Sequence, residues 1–303
     1  MYKKFVIIFF IIVLVVIVLF YINEIQNSLD WNSDEFYIKE SKNNFKINKY
    51  LSSLNIEPRK KQRIPKIIHQ TSSKDEMDVE CYETCLINRY MNPEYEYMFY
   101  DNTDVENYIS INYPEYKKAF NMLIPGAFKA DLFRYLVLYR EGGVYIDCKA
   151  STVIPLREFI SPDIGFVSFR DRPKGSIQIS FIASIPGHPI LKKCIDMAIH
   201  NILNKNYGIN MLDITGPQLC GRAFNRLLGT DDMANIEEKT YKEIDADIIG
   251  THKIIGDRRY EALISKNNKI FISRICGSYR KNANFFDFDS YGQRWKYRRV
   301  FKD

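Results

Sequence analysis

The sequence predicts an α/β fold in which helices cover a sheet of largely parallel strands. Two short apolar runs, at residues 64–71 and 95–100, enclose a segment at 78–92 whose apolar residues recur at helical spacing. A longer apolar helix that begins near residue 128 is followed by a third apolar run at 144–146. Strands that alternate with helices along the chain are typical of layered α/β proteins.

The helix that begins near residue 128 is apolar on nearly all of its faces, which predicts that it is buried. Gly142 and Gly143 end it, since glycine accepts the backbone conformation found at a helix C-terminus. Asp131 and Arg134 nevertheless lie inside this helix, and their spacing puts them on one face. A buried charge is costly unless it is paired. The two residues therefore form either a salt bridge that only neutralises itself or part of a functional site.

A second pair of charges, Asp147 and Lys149, follows the strand at 144–146. Ligands of open α/β sheets bind outside the carboxyl ends of the strands. Four charged groups that converge at this edge predict a polar site, and its expected ligand is a phosphorylated, hydroxyl-rich molecule.

The remaining elements are predicted from shorter patterns. The basic loop at 170–175 either covers phosphates or is a solvated turn. His188 is either a helix cap or a site residue, and we favour the cap, while Thr215 is predicted to be an N-cap. The other predicted elements are short helices at 104–108 and 114–122, a long helix at 189–203, and strands at 164–169, 177–184, 248–255 and 270–275.

The N-terminal part of the 303-residue chain predicts a membrane anchor. Residues 5–22 carry no charge, Gly or Pro, and a helix of this length spans about 27 Å, close to the hydrocarbon thickness of a bilayer. Lysines precede it and acidic residues follow it, so residues 1–4 are expected in the cytoplasm. A cleaved signal peptide is the alternative, but no small-residue cleavage site follows. Residues 23–62 read as a stem and 63–303 as the folded domain.

Composition narrows the function further. The net charge of +6 comes from scattered lysines and arginines, often next to acids, which argues against nucleic-acid binding. The six cysteines are free to pair on the far side of a membrane, with a connectivity that the sequence does not give. Cys148 is expected to point away from Asp147 and to be packed rather than reactive.

The stretch at 128–150 resembles the signature of glycosyltransferase family 32, the DXD-containing sugar-binding region. That signature runs A-D-x-x-R-Y-x-x-L-Y-x-x-G-G-x-Y-x-D-x-D. It is matched at Ala130, Asp131, Arg134, Tyr135, Leu138, Tyr139, Gly142, Gly143, Tyr145 and Asp147. One position departs from the signature: Lys149 stands where the second Asp belongs.

The resemblance implies a GT-A type, Rossmann-like nucleotide-sugar-binding fold and transfer of a hexose, with retention of configuration, from a UDP- or GDP-sugar to a glycan, glycolipid or protein hydroxyl. It implies catalytic roles for Asp131, Arg134, Asp147 and Lys149. The segment IPKIIHQ resembles the family's first strand and implies donor binding by Ile68, His69 and Gln70. Gly142, Gly143, Tyr145 and Trp295 are implied in the same way. The N-terminal segment predicts a single-pass type II membrane protein. The resemblance implies that its catalytic domain lies in a Golgi- or ER-like lumen, and the alternative is another extracytoplasmic location.

The family's second Asp normally binds Mn²⁺ or Mg²⁺, and an ammonium group there repels a cation. Three hypotheses follow. Lys149 itself meets the donor diphosphate; or Asp147 holds a metal together with Asp287 or Asp289; or the protein is a catalytically inactive sugar-binding or scaffolding module.

Overall fold

The structure is a computed structural model that describes residues 45–54, 61–255, 260–265, 267–275 and 291–302. Within these residues, no helix is long and apolar enough to span a membrane. The predicted anchor at 5–22 and most of the predicted stem lie outside them. Residues 44–303 form one compact unit.

The elements follow the predicted α/β pattern with some changes of boundary. The helices are α1 (Val79–Met91), α2 (Asn102–Asn112), α3 (Lys117–Met122), α4 (Gly126–Glu141), α5 (Pro189–Leu203), α6 (Pro217–Leu227) and α7 (Tyr291–Lys296). The strands are β1 (Phe45–Lys46), β2 (Tyr50–Leu51), β3 (Ile67–Thr71), β4 (Glu76–Met77), β5 (Glu96–Tyr100), β6 (Gly143–Ile146), β7 (Ala150–Thr152), β8 (Phe166–Arg170), β9 (Ile177–Ser184), β10 (Thr240–Tyr241), β11 (Ala246–Ile255), β12 (Tyr260–Ile264) and β13 (Ile270–Ile275).

The described strands build one large mixed sheet, so the prediction of largely parallel strands is wrong. Its order is β2-β5-β3-β6-β9-β8-β11-β12-β13-β7, with β10 paired to β11. Among the described strands, only the β3–β5, β3–β6 and β8–β11 pairs are parallel. The parallel strands β5, β3 and β6 still end at one edge, where Asp147 follows β6.

Two hydrophobic cores cover the two faces of this sheet. One contains most of α4 together with α5 and α6, and the other contains α1 and the opposite faces of β3, β5 and β6. Cys148 packs against the second core with Val144 and Ile146, whereas Tyr145 belongs to the first. The predicted orientation of Cys148, away from Asp147, is therefore confirmed.

The folded unit begins before residue 63, the boundary that we predicted. Phe45 and Lys46 pair with Met77 and Glu76, and Tyr50 pairs with Met98. Between them Ile47 is only 2% exposed. Part of the predicted stem is therefore built into the domain.

Candidate active site

The site centres on an arginine held between two carboxylates. Arg134 of α4 lies with Nη2 3.1 Å from Asp131 Oδ1 and with Nη1 3.2 Å from Asp147 Oδ1. The same Nη1 donates to the Ile179 carbonyl at 2.6 Å, which ties the helix to β9. Three of the four charges that were predicted to converge therefore meet in the structure: the two on one helix face contact Asp147 at the end of the following strand.

The aromatic ring of Tyr145 lies under the guanidinium group. Arg134 Cζ is 4.5 Å from the ring centroid, and both side chains are buried. A cation over an aromatic face is attracted by the ring's quadrupole. Tyr145 thus fixes the plane of the Arg134 guanidinium group. Its side chain supports the site from within the core.

Asp131 has a second partner, Thr215, whose hydroxyl donates to Asp131 Oδ2 at 3.0 Å. Thr215 was predicted to cap α6, but Gly216 occupies the N-cap position. Burial raises the pKa of Asp131 to about 6, although Arg134 and the Thr215 hydrogen bond pull it down. The Asp131 carboxylate is therefore mostly ionised at neutral pH, but it takes up a proton more readily than an ordinary aspartate does.

Beyond Asp147 the charge network continues into the antiparallel half of the sheet. Arg274 Nη2 lies 3.5 Å from Asp147 Oδ2, and its Nη1 lies 3.3 Å from Glu261 Oε2. Arg172, from the basic loop between β8 and β9, places Nη2 2.5 Å from Glu261 Oε1. That loop is therefore attached to the site network through its arginine.

His252 completes this half of the network. Its Nε2 is 3.0 Å from Glu261 Oε2 and its Nδ1 is 3.2 Å from Asp171 Oδ1. Burial lowers the pKa of His252, but the adjacent carboxylates of Asp171 and Glu261 outweigh burial and the net direction is upward. The adjacent His252 ring, helped by Arg274 and Arg172, lowers the pKa of Glu261 to about 2.

The side chains predicted for donor binding in β3 are engaged by the protein. His69 Nε2 donates to the Gly142 carbonyl at 3.0 Å, so Nδ1 accepts from the Tyr100 hydroxyl at 3.2 Å. Burial lowers the pKa of His69 to about 4, in keeping with a neutral ring. Ile68 lies in the core. Gln70 comes closest to the site, where its Nε2 donates to the Asp147 carbonyl at 3.4 Å.

Gly142 and Gly143 have positive φ angles of 68° and 95°. A Cβ at Gly143 would lie 2.6 Å from the Ile67 carbonyl oxygen, and a Cβ at Gly142 would lie 2.7 Å from Pro186 Cδ. The structure therefore shows a packing reason for the pair: it lets the chain leave α4 and enter β6 against β3.

The other predicted positions are distributed as follows. Lys149 is half-buried in the turn after Asp147. Trp295 donates from Nε1 to the Tyr207 carbonyl at 2.7 Å, in the segment that leads to Thr215. Asp287 and Asp289 lie outside the described residues. His188 caps α5 by accepting from the Ile190 amide at 3.2 Å, which confirms the favoured reading.

Sequence reasoning missed Arg274, Glu261 and His252. One signal was present: Glu261 and Arg274 are direct partners on neighbouring antiparallel strands, where opposite charges attract. Strand β12 was not predicted, however, so this pairing was not visible from the sequence.

The described residues do not fit a divalent metal at the expected position. Both oxygens of Asp147 face arginines, and the position of the family's second Asp holds Lys149, whose ammonium group cannot bind a metal cation. Across the part of the chain that the structure describes, no group of three or more His, Cys, Asp or Glu side chains could hold a metal ion.

A mixed sheet with carboxylates and arginines beyond the end of a parallel strand defines an α/β protein whose ligand site lies at the sheet edge. Residues 75–164 match the family model described as "Glycosyltransferase sugar-binding region containing DXD motif". The resemblance stated from the sequence is thereby confirmed over this region, which contains Asp131, Arg134 and Asp147.

Similar proteins point the same way. "Inositol phosphoceramide mannosyltransferase 2" of Schizosaccharomyces pombe is 31% identical over 51% of this chain and 44% of its own length. "Initiation-specific alpha-1,6-mannosyltransferase" of the same organism is 27% identical over 58% of this chain and 53% of its own length. "Inositol phosphoceramide mannosyltransferase 3" is 27% identical over 44% of this chain and 36% of its own length. The chain thus spans about half or less of these relatives.

Among solved structures, a "PaToxG Glycosyltransferase" aligns over 55% of this chain and 70% of its own, with 19% identity and a TM-score of 0.43. A score of this size is too low to support an argument about fold.

Proposed function

We propose that this protein is a glycosyltransferase with a GT-A type fold that transfers a hexose from a nucleotide-sugar to a hydroxyl of a glycan, lipid or protein, with retention of configuration. The observation that supports this most directly is the Asp131–Arg134–Asp147 cluster at the end of β6. The names of the relatives make mannose the first sugar to test.

In the proposed complex, Asp131 accepts hydrogen bonds from sugar hydroxyls. Arg134 keeps Asp131 and Asp147 in place and faces the same space. Asp131 is held at both of its carboxylate oxygens: Arg134 contacts Oδ1 and the Thr215 hydroxyl donates to Oδ2. A rigid, paired carboxylate is suited to orienting a neutral sugar, because its geometry needs no rearrangement on binding.

Negative charge builds on the diphosphate as the glycosidic bond breaks, and positive groups must meet it. Arg274 lies 3.5 Å from Asp147, and Lys149 follows Asp147 by two residues in the chain. In the proposed complex, these two cations supply the positive charge. Opposite unit charges 4 Å apart gain about 4 kcal/mol at an effective dielectric constant of 20, which is enough to change a leaving group substantially. The proposed reaction therefore runs on fixed cations.

The alternative is an inactive sugar-binding or scaffolding module. Lys149 in place of the second Asp and the pairing of both Asp147 oxygens with arginines favour it. Under that alternative, the protein binds a sugar or nucleotide-sugar and releases it unchanged.

The first experiment is calorimetric titration of residues 44–303 with a panel of UDP- and GDP-hexoses, in Mn²⁺ and in EDTA, followed by a search for released nucleoside diphosphate. Binding and turnover of one donor in EDTA would support fixed cations. Turnover only in Mn²⁺ would direct attention to Asp287 and Asp289. Binding without turnover would favour the inactive module, and no binding at all would overturn the proposal.

Two variants sharpen this test. Lys149→Ala and Arg274→Ala are each expected to lower kcat by about tenfold or more, since each removes a charge worth at least about 1.4 kcal/mol in the transition state. Lys253→Ala is the control, because it removes the same charge from an exposed position on β11. Equal effects in all three variants would contradict the assigned roles.

We also propose that residues 5–22 anchor the protein in a membrane with the N-terminus cytoplasmic and the folded domain, residues 44–303, on the lumenal side. Protease protection of the domain in sealed microsomes tests this topology, and digestion of the domain without detergent would contradict it.

A further inference from the structure

Helix α1 is fastened along one face to the segment that carries Cys148. Thr84 donates its hydroxyl to the carbonyl of Cys148, and Cys85 Sγ lies 4.0 Å from the same oxygen. One turn further on, Asn88 donates to the Ala150 carbonyl at 2.8 Å and accepts from the Thr152 amide at 2.9 Å. The helix thus holds the backbone from Cys148 to Thr152 in a fixed position.

On this face, one turn before Cys85, lies Cys81. The Thr84 hydroxyl that contacts the Cys148 carbonyl also lies 2.8 Å from the Cys81 carbonyl oxygen, so the two backbones are close together. The neighbouring Cys148 side chain raises the pKa of the Cys81 thiol. Cys81 is 6% exposed and packs in the same core that Cys148 contacts. All five described cysteines are free thiols in the structure.

We propose that Cys81 and Cys148 are the site of a disulfide bond that ties the turn between Asp147 and Lys149 to helix α1. The Thr84 hydroxyl contacts the carbonyl oxygens of both cysteines, and the Asn88 hydrogen bond keeps the segment after Cys148 against α1, so the two backbones cannot move apart. A disulfide forms without strain only where the two backbones are already close, so this pre-positioning is what it requires. The inference does not depend on the proposed function.

The chemistry needs an oxidant, and a small disulfide such as oxidised glutathione is sufficient. The thiolate of Cys148, the more exposed of the two, attacks one glutathione sulfur and releases glutathione thiolate. The Cys81 thiolate then attacks Cys148 Sγ and displaces the second glutathione. Two protein thiols are oxidised, one glutathione disulfide is reduced to two thiols, and two protons leave the cysteines.

A second pair of neighbouring cysteines, Cys194 and Cys220, serves as an internal control. Cys194 of α5 and Cys220 of α6 pack in the same core, and burial together with the neighbouring Cys220 raises the pKa of the Cys194 thiol, but both side chains are fully buried. An oxidant can reach them only after the helices separate. In folded protein, Cys81 and Cys148 are therefore expected to oxidise first.

Mass spectrometry of the full chain tests the proposal. Reduced, folded protein is incubated with oxidised glutathione, remaining thiols are alkylated, and trypsin peptides are analysed without reduction. The expected result is a link between residues 75–89 and 141–149, with Cys194 and Cys220 alkylated only after unfolding. The link is also expected to raise the melting temperature by about 5 °C or more.

Cys81 and Cys85 fall in one tryptic peptide, so two variants are needed to assign the bond. Cys81→Ser should abolish the link and Cys85→Ser should leave it. A link that survives Cys81→Ser, or a Cys148 that carries only glutathione or alkyl label, would overturn the proposal. Alkylation of Cys194 and Cys220 without denaturant would identify a variant that has unfolded, and in that case Cys81→Ala replaces it.

Discussion

At the scale of single residues, the fold makes ionisation of Asp131, the central carboxylate of the site, less favourable. Burial raises the folded-state pKa of Asp131 from 3.8 to about 6. The folded protein therefore binds this proton more tightly than the unfolded chain does. The resulting stabilisation is complete below about pH 3.8 and is lost as the pH rises through about 6. Ionised Asp131 thus costs stability at neutral pH, as is common for residues kept for function.

This pKa predicts the acid limb of the activity profile. Because only ionised Asp131 accepts two hydrogen bonds from sugar hydroxyls, kcat/KM should fall as the pH drops through about 6. Thr215→Val removes a hydrogen bond that favours the ionised form, so it should move this limb to higher pH. Initial rates of both proteins between pH 4.5 and 8 give the midpoint of this limb. The interval extends about two pH units to either side of the pKa. A limb near pH 4 that Thr215→Val leaves in place would contradict the assignment.

Glu261 is the opposite case, because its pKa is lowered to about 2. Its stabilising contribution is present above pH 4.5 and is lost as the pH falls through about 2. Glu261→Gln leaves His252, Arg274 and Arg172 without their shared partner. We expect a loss of about 1–3 kcal/mol in the free energy of unfolding at pH 7, less than for fully buried pairs because Arg172 is half exposed.

Urea unfolding at pH 7 measures this loss. Glu237→Gln is the matched control, since Glu237 pairs with Lys239 on the surface and should cost about 0.5 kcal/mol or less. Equal losses in the two variants would show that the Glu261 network contributes nothing.

The sequence predicted which charged side chains meet in the site where those residues are close together along the chain. Asp131, Arg134 and Asp147 are close because a helix and its following strand fix their relative positions. His252, Glu261 and Arg274 come from three antiparallel strands, and their contacts depend on strand register. Register is set by pairing across the sheet, which one strand's own sequence does not encode.

At the scale of elements, the turn from α4 into β6 positions the site. The sequence predicted where the helix ends, because a glycine pair is a strong stop signal. It did not show that the glycines are also needed for close packing, since Pro65, Pro186 and Ile67 approach them only in the folded chain. Alternation of strands with helices correctly predicted parallel pairing of β3 with β5 and β6. It failed later in the chain, where β8 and β9, and then β11, β12 and β13, follow one another through short connections and pair antiparallel.

Three alanine substitutions separate backbone strain from packing. Gly187 has a φ of 70°, almost the same as the 68° of Gly142, but a Cβ there would meet nothing within 4 Å. Gly187→Ala should therefore cost about 1 kcal/mol, from strain alone. Gly142→Ala and Gly143→Ala should cost about 2–4 kcal/mol, because each Cβ also collides with neighbouring atoms. Denaturant unfolding gives the three values, and three equal losses would contradict the packing role.

At the scale of the whole molecule, the domain depends on a segment that composition alone assigns to a stem. Residues 45–51 are polar enough to read as a linker, but they include Ile47, which becomes buried, and Lys49. Lys49 Nζ lies 2.5 Å from Asp101 and 2.7 Å from Asp104, the two residues of the capping box that begins α2. Short strands of two residues are invisible to periodicity, so this part of the fold was not predictable.

The final prediction concerns where the stable domain begins. A chain that starts at residue 63 lacks β1, β2, Ile47 and the Lys49 pairs, whereas one that starts at residue 44 keeps them. Burying one isoleucine contributes about 1.5–3 kcal/mol, so the shorter chain should melt at least about 4 °C lower. Within residues 44–303, Ile47→Ala should reproduce much of this loss. Leu54→Ala, at a side chain 63% exposed, should reproduce almost none. Identical melting temperatures for the two chains would mean that residues 45–51 rest on the domain without stabilising it.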